Sequence, residues 1–307
     1  MKAVKFISVV LAICLFMLSF CSCSANRTAL TVDSTPVSKE IYGYFLSVAV
    51  NSDEYKNEED KQELAGKLCA EYIAGCKLIK KYDIQLSAED KVTVSSEIKT
   101  KWQLHSSFYK KYCVSKQTLC TMLEHKKLID ALVEKLYSQG GERELADNEI
   151  KDFFNQNYVA AKIAFTPFSS SLTEEDVKVI TEKYSSMSSI VRAGGDFSSA
   201  IQQYPDLAEF EDTEHLVFAF DSSYPTEMFE KMVQMKNGEV HVMRFSRGIY
   251  LVQKTDNGSF FDNCKSKCIV AMKKEQVKNE ISETAKSFAV EYKSAVVKSV
   301  LSSAGVK

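Results

Sequence analysis

The sequence predicts an α+β protein, with a helical N-terminal half followed by a small antiparallel sheet flanked by helices. In the first half, apolar residues recur at helical spacing until Gly140-Gly141 interrupts the pattern. From Val159 onward, strand-like and helical segments follow in the order β-α-α-α-β-β, which is typical of α+β folds. The stretch from Met272 to Val300 contains neither Gly nor Pro and predicts one last long helix.

The helical half begins with a short extended segment. Residues Thr28 to Val37 alternate between apolar and polar before a turn, which indicates a strand. Ser38 is suited to cap the helix that follows, because its hydroxyl can accept a hydrogen bond from a free backbone N–H of the first turn. Further helices are expected over residues 57–82, 89–112 and 115–137.

The mixed half opens with a helix that starts at Ala146 and ends near Tyr158. A strand is predicted over residues 159–165, where the chain becomes apolar. Helices are expected over residues 173–193, 196–204 and 227–235. The last two strands of this half are expected within Gly238–Lys254.

Residues 1–22 are typical of a secretory signal peptide. A short basic start is followed by the apolar run Phe6 to Phe20, which is shorter than the ~20 residues a membrane-spanning helix needs. Cys21 and Cys23 at its end resemble a bacterial lipoprotein signal, and Cys23 is preferred because the small Ser22 precedes it. A diacylglyceryl cysteine would anchor the protein to the extracytoplasmic face of a bacterial membrane. A plain cleaved signal or an uncleaved anchor is the alternative.

The length and composition of the chain limit the number of domains and the kinds of partner and cofactor to be expected. The 307 residues suffice for about two domains, and a net charge of -2 gives no global basic field for nucleic acid. Six cysteines remain after the signal, and no Cys-x-x-Cys occurs, so neither a metal site nor a cofactor is predicted. Core thiols and cross-helix disulfides both stay open. The six are Cys69, Cys76, Cys113, Cys120, Cys264 and Cys268.

Five segments in order resemble extracytoplasmic foldases of the PrsA/SurA type. They are Leu30–Glu40, Lys80–Ser87, Asp147–Tyr158, Gly194–Ile201 and Gly238–Lys254. The last of them is similar to the closing strands of a parvulin-type prolyl isomerase. The resemblance implies a helical chaperone domain over residues 23–146, an inserted parvulin-like domain over 147–258, and a C-terminal helix within 259–307 that packs on the chaperone domain.

The same resemblance implies a site. Parvulins hold a proline ring in an apolar pocket beside a buried polar cluster, usually with two histidines. In this sequence the two histidine positions fall on Lys162 and Tyr250, so no catalytic residue is named and isomerase activity stays undecided. The residues expected to form the peptide or proline pocket are Phe165, Phe229, Met232, Val233 and Tyr250.

These expectations favour a lipid-anchored chaperone or foldase that binds unfolded or newly secreted polypeptides through apolar grooves. One alternative is an active prolyl isomerase that uses Tyr250 as a hydrogen-bond donor. Another is a non-catalytic scaffold protein of the cell envelope. The sequence does not fix the oligomeric state, and a homodimer is compatible with it.

Overall fold

The computed structural model describes residues 28–52, 57–219, 221 and 223–306. The predicted signal peptide, with Cys21 and Cys23, lies outside the described residues. Within the described part of the chain, no helix combines the length and apolarity needed to cross a membrane. The chain divides into two compact units. The helical unit joins residues up to Leu136 with Lys273–Lys307, and the sheet unit is Tyr137–Met272.

The helical unit begins with a hairpin of strands β1 (Thr28–Val32) and β2 (Thr35–Ser38). Ser38 also caps the first helix, since its hydroxyl accepts a hydrogen bond of 3.2 Å from the backbone N–H of Ile41. Four helices follow the hairpin: α1 (Lys39–Val50), α2 (Glu58–Lys81), α3 (Ala88–Lys111) and α4 (Lys116–Tyr137). Their bounds agree with the helices predicted from periodicity.

The sheet unit alternates helices with short strands. In chain order its elements are α5 (Asp147–Asn157), β3 (Tyr158–Pro167), α6 (Glu174–Arg192), α7 (Phe197–Gln202), β4 (Glu209–Phe210), β5 (His215–Phe218), α8 (Thr226–Gln234), β6 (Val240–Phe245) and β7 (Gly248–Thr255). The strands form an antiparallel sheet of order β4-β3-β7-β6, in which β5 also pairs with β3. The predicted α+β class is confirmed.

The C-terminal segment differs from the single helix predicted over Met272 to Val300, and that prediction is wrong. Helix α9 (Phe261–Ala285) ends well before Val300, strand β8 (Val290–Tyr292) follows, and α10 (Ser294–Ala304) comes last. Strand β8 pairs antiparallel with β1, placing Tyr292 opposite Leu30. The chain leaves the helix here because the open edge of β1 offers backbone hydrogen bonds, a tertiary effect that local sequence does not show.

The sheet unit is wider than the range 147–258 expected for the parvulin-like domain. Residues at its two ends hold α5 against the start of α9. The Lys265 ammonium lies 2.6 Å from the Asp147 carboxylate, and the rings of Phe154 and Phe261 meet edge to face at 5.5 Å. These contacts explain why the compact unit extends to Met272.

The sheet has two different faces. Helices α6 and α7 pack on one, which we call the covered face, where Tyr184, Met187 and Phe197 meet Ala164 and Leu251. The other is the cleft face, against which α8 packs. Because side chains alternate along a strand, neighbouring residues of β3 and β7 belong to different faces.

The six cysteines are free thiols, and Cys69, Cys264 and Cys268 are buried. Cys76 on α2 lies 3.7 Å from the Nδ1 atom of His125 on α4. Burial raises the pKa of the Cys76 thiol to about 11 and lowers the pKa of His125 to about 4. Both groups are therefore uncharged at neutral pH, which argues against an activated cysteine nucleophile at this place.

Candidate peptide-binding cleft

The cleft face is built by the side-chain alternation of two paired strands. In β3, Ile163 and Phe165 point to this face, and in β7 so do Tyr250 and Val252. The register places Phe165 opposite Tyr250 and Ile163 opposite Val252. Directly opposed residues of antiparallel strands bring their side chains together. The rings of Phe165 and Tyr250 accordingly stack with centroids 4.4 Å apart.

Helix α8 packs against the cleft face of the sheet. Met228 and Met232 are fully buried against the sheet, and Phe229 is buried with them. Val233 is 39% exposed and lies outside this cluster. The structure therefore brings together four of the five side chains predicted for the pocket and leaves Val233 at the surface.

A cavity of about 210 Å³ opens on this face. The residues that line it are Ile163, Phe165, Glu209, Phe210, Glu211, His215, Ser223, Tyr224, Arg247 and Tyr250. Four of these residues are aromatic, and Glu209, Glu211 and Arg247 bring charges of both signs. The volume lies below the ~300–1,000 Å³ typical of drug-sized ligand sites. The cavity thus suits one or two amino-acid side chains better than a bound cofactor.

Tyr250 is the polar group at the centre of this arrangement. Burial raises the pKa of its phenol, and the nearby Arg247 charge opposes that shift. The phenol is therefore protonated at neutral pH and can donate a hydrogen bond to a carbonyl oxygen in the cleft. His215 also lines the cavity, whereas His105 and His125 belong to the helical unit and His241 is exposed on β6.

Lys162, the other predicted polar position, lies on the opposite side of the sheet. Its ammonium is 3.2 Å from the Asp212 carboxylate, which also accepts a hydrogen bond of 2.5 Å from the Ser198 hydroxyl of α7. The Ser198 hydrogen bond, followed by the one from Lys162, lowers the pKa of Asp212. The structure thus does not bring Lys162 and Tyr250 together. Ile163, one position along β3, shares the face of Tyr250.

Two glycines of the segment Gly238–Lys254 lie just before β6 and at the start of β7. Gly238 has a φ of +85°, a left-handed conformation that favours glycine, and its N–H donates to the Lys254 carbonyl at 2.8 Å. A Cβ atom on Gly248 would lie 2.3 Å from the Thr166 carbonyl oxygen. Gly248 therefore allows β7 to lie close to β3, in the register that sets Tyr250 opposite Phe165.

Several lining residues were not predicted from the sequence. Strand β4 has two residues and β5 has four, so the loop that carries Glu209, Glu211 and His215 showed no clear periodicity. The apolar run Leu216-Val217-Phe218 is the one signal that marks β5 in the sequence. Arg247 and Tyr224 lie in turns, where spacing says little about direction.

A scan against protein-family models and a search of curated proteins find no match. Solved structures do match. The foldase protein PrsA from Streptococcus pneumoniae is 17% identical, with 80% of this chain and 95% of that chain covered and a TM-score of 0.43. PrsA from Lactococcus lactis is 15% identical, with coverages of 90% and 98% and a TM-score of 0.40.

A structure of SurA-like chaperones from Campylobacter jejuni is 12% identical, with 87% of this chain and 99% of that chain covered and a TM-score of 0.32. All three are structures of the kind that the sequence segments resemble. All three TM-scores lie below 0.5, so these likenesses carry no conclusion about function.

Proposed function

We propose that this chain is a lipid-anchored, extracytoplasmic foldase that holds unfolded or newly secreted polypeptides, with a parvulin-like sheet unit that has little or no isomerase activity. One observation carries the proposal. Phe165 and Tyr250 stack at 4.4 Å and line an open cleft, whereas the charged side chain of Lys162 is bound to Asp212 on the other face. The apolar part of a parvulin-type site is thus supported, and its paired polar part is not.

The cleft suits weak, general binding of an extended peptide. Burying one apolar side chain contributes ~1.5–3 kcal/mol, and a proline or aromatic ring stacked on Tyr250 would add a fraction of that. Such energies alone correspond to millimolar affinity or weaker. A protein that releases many different clients needs contacts of this strength, and charges of both signs at Glu209 and Arg247 do not favour one client charge.

Catalysis would need more than the cleft provides. Rotation about a prolyl bond faces a barrier of ~18–20 kcal/mol, and the parvulin cluster stabilises the twisted amide with paired polar groups. On the cleft face, Ile163 stands on β3 near Tyr250, and an isoleucine offers no hydrogen bond. The protonated Tyr250 hydroxyl favours a weak isomerase as the second candidate function.

Two assays on the same preparations separate holding from catalysis. Phe165→Ser removes the stacking wall, and we expect it to weaken suppression of client aggregation several-fold. Tyr250→Phe keeps the ring and removes the hydroxyl, so suppression should change little. Val179→Ser, at an exposed valine of α6, is the matched surface control. The same proteins are then tested in a proline-limited refolding reaction.

Acceleration of refolding that disappears in Tyr250→Phe would establish the isomerase and contradict the proposal. Co-purification with one stoichiometric partner, with no effect on unfolded clients, would instead support an envelope scaffold. Mass spectrometry of the mature N-terminus tests the anchor, and we expect a lipid-modified Cys23. An unmodified chain, or one modified at Cys21, would overturn that assignment without affecting the cleft.

A further inference from the structure

The second half of α3, residues 99–111, exposes large apolar side chains to solvent. Leu104 is 69% exposed and Phe108 is 36% exposed, and every residue of this described range is at least partly accessible. The helix buries only Val94 and Ile98, both in its first half. Helices of globular proteins normally direct such side chains at a core. A covering surface is therefore expected for residues 99–111.

The charged side chains within this segment are all basic. Between Ile98 and Leu123 the sequence contains no Asp or Glu, although the chain has 41 acidic residues. The same stretch contains the lysines Lys99, Lys101, Lys110, Lys111 and Lys116. The nearest acid on the helix is Glu97, 3.4 Å from Lys101. The overall charge of -2 thus hides a local basic surface that is complementary to an anion.

The helix bends within this segment, and aromatic and lysine side chains contact each other across the bend. His105 has non-helical backbone angles, with φ -128° and ψ 16°. Across this bend the rings of Trp102 and Tyr109 stack with centroids 6.4 Å apart, and the Lys110 ammonium lies 6.0 Å from the Trp102 ring. Exposed Leu104 and Phe108, together with the half-buried Trp102 and Tyr109 and several lysines, give the mixture of apolar, aromatic and basic side chains found in helices that lie in a membrane interface.

The segment belongs to the unit that a lipid anchor would hold at the membrane. The C-terminal end of α3 packs on α1, where a Cβ atom on Gly43 would lie 1.9 Å from the Tyr112 carbonyl oxygen. Helix α1 follows the hairpin that starts at Thr28. Four residues lie between Cys23 and Thr28, so the five steps from one Cα atom to the next span at most about 17 Å when fully extended.

We propose that residues 99–111 bind the surface of an anionic phospholipid bilayer, with Leu104 and Phe108 in the interface and the lysines at the headgroups. The placement of this segment near the bilayer rests on the lipid anchor of the proposed function. The amino-acid composition and the charge of the segment are independent of that anchor. Charge favours a bilayer over a second copy of the same surface, because two lysine-rich faces would repel each other. The bilayer supplies both the negative charge and the apolar layer that this segment needs.

Trp102 allows a direct test because it is the one tryptophan of the chain. The chain from Ser24 onward, which carries every described helix and strand, is mixed with vesicles of phosphatidylglycerol and phosphatidylcholine or of phosphatidylcholine alone. We expect the chain to sediment with the anionic vesicles only, with a blue shift of the emission of the partly exposed Trp102. Since this chain lacks Cys23, the result does not depend on lipidation.

Substitutions then separate charge from apolar contact. Lys110→Gln with Lys111→Gln should weaken vesicle binding about 30-fold, from ~1 kcal/mol per lysine near an anionic surface. The matched control is Lys178→Gln with Lys236→Gln, at exposed lysines of the sheet unit, and it should bind as the parent does. Leu104→Ser, at an exposed position, should reduce the blue shift without unfolding the chain.

Three outcomes would overturn the proposal. The first is no sedimentation with anionic vesicles, or equal binding by parent and lysine variant. The second is a concentration-dependent shift without vesicles, which would assign the surface to a second copy of the chain. The third is a shift with a reduced, carboxymethylated acidic polypeptide but not with vesicles, which would make residues 99–111 a client-binding surface.

Discussion

The two faces of the antiparallel sheet share the same strands, but the polar side chains on the two faces have different surroundings. On the covered face, the Thr166 hydroxyl hydrogen-bonds both the Tyr184 hydroxyl, at 2.8 Å, and the Leu207 carbonyl. On the cleft face, Tyr250 is one of the residues that line an open cavity. Buried polar groups need partners, whereas a group at a cavity can keep its hydrogen-bonding capacity for a ligand.

Strand β3 contributes side chains both to the buried core and to the candidate binding cleft. Thr166 and Phe165 are neighbours in β3, and alternation directs one to the covered face and the other to the cleft face. The covered face is expected to tolerate few changes. The cleft face is expected to be sensitive only where side chains reach its buried floor, and four substitutions test this difference.

The largest effect is expected at the floor of the cleft face. Met232→Ala should lower the free energy of unfolding by about 2–4 kcal/mol, because Met232 is fully buried and its removal leaves a cavity. Val233→Ala, at the adjacent exposed position, should cost less than ~0.5 kcal/mol. Urea denaturation of both variants measures the difference. Equal effects would mean that α8 does not pack as described.

The next largest effect is expected at the covered face. Thr166→Val keeps the shape of the side chain and leaves Tyr184 and the Leu207 carbonyl without their shared partner. Leaving buried polar groups unpaired costs ~1–3 kcal/mol. Chemical denaturation should show this loss, while aggregation suppression by the cleft stays near the parent level at temperatures where the variant is folded. A neutral effect on stability would remove the contrast between the faces.

Alkaline pH should distinguish the faces further. Burial raises the pKa of Tyr184 to about 12, against an ordinary value of about 10. Ionisation therefore favours the unfolded chain, and the stabilisation is complete below about pH 10 and is lost as the pH rises through about 12.

Between about pH 8 and about pH 11, the parent should lose about 1 kcal/mol more stability than Tyr184→Phe does. Denaturation curves at the two pH values provide the measurement. Identical pH dependence in parent and variant would contradict a buried Tyr184.

The smallest effect on stability is expected at the centre of the cleft. Tyr250→Phe keeps the ring that stacks on Phe165 and removes a hydroxyl at the cavity, so the free energy of unfolding should change by less than ~0.5 kcal/mol. A loss above ~1 kcal/mol would indicate that the Tyr250 hydroxyl supports the fold, as the Thr166 hydroxyl is expected to do.

The helices could be predicted from the sequence because their signals are local. Thr173 begins α6 with a reciprocal capping box to Asp176, and the 3.6-residue periodicity continues to Arg192. Strand β8 could not be predicted in this way. Neither Gly nor Pro marks its start, and Val290–Tyr292 becomes a strand because β1 lies open beside it.

The residues of the candidate site were harder to predict from the sequence, because their positions also depend on strand pairing. Residues 159–165 are apolar apart from Lys162, so the sequence shows no alternation that would tell which residues share a face. A shift of one residue moves a side chain to the other side of the sheet. Alignment to the family pattern therefore selected Lys162, while the strand pairing sets Ile163 beside Tyr250.

The pairing of β1 with β8 has a consequence for how the chain matures. Leu30 is made 262 positions before its partner Tyr292, counted as 292 minus 30. A ribosome or a secretion channel releases the N-terminus first, so the hairpin must wait with an unpaired edge until almost the whole polypeptide has emerged. Nascent chains and fragments cut before Val290 would lack this last strand. The helical unit can therefore complete its sheet only after the C-terminal segment has been released.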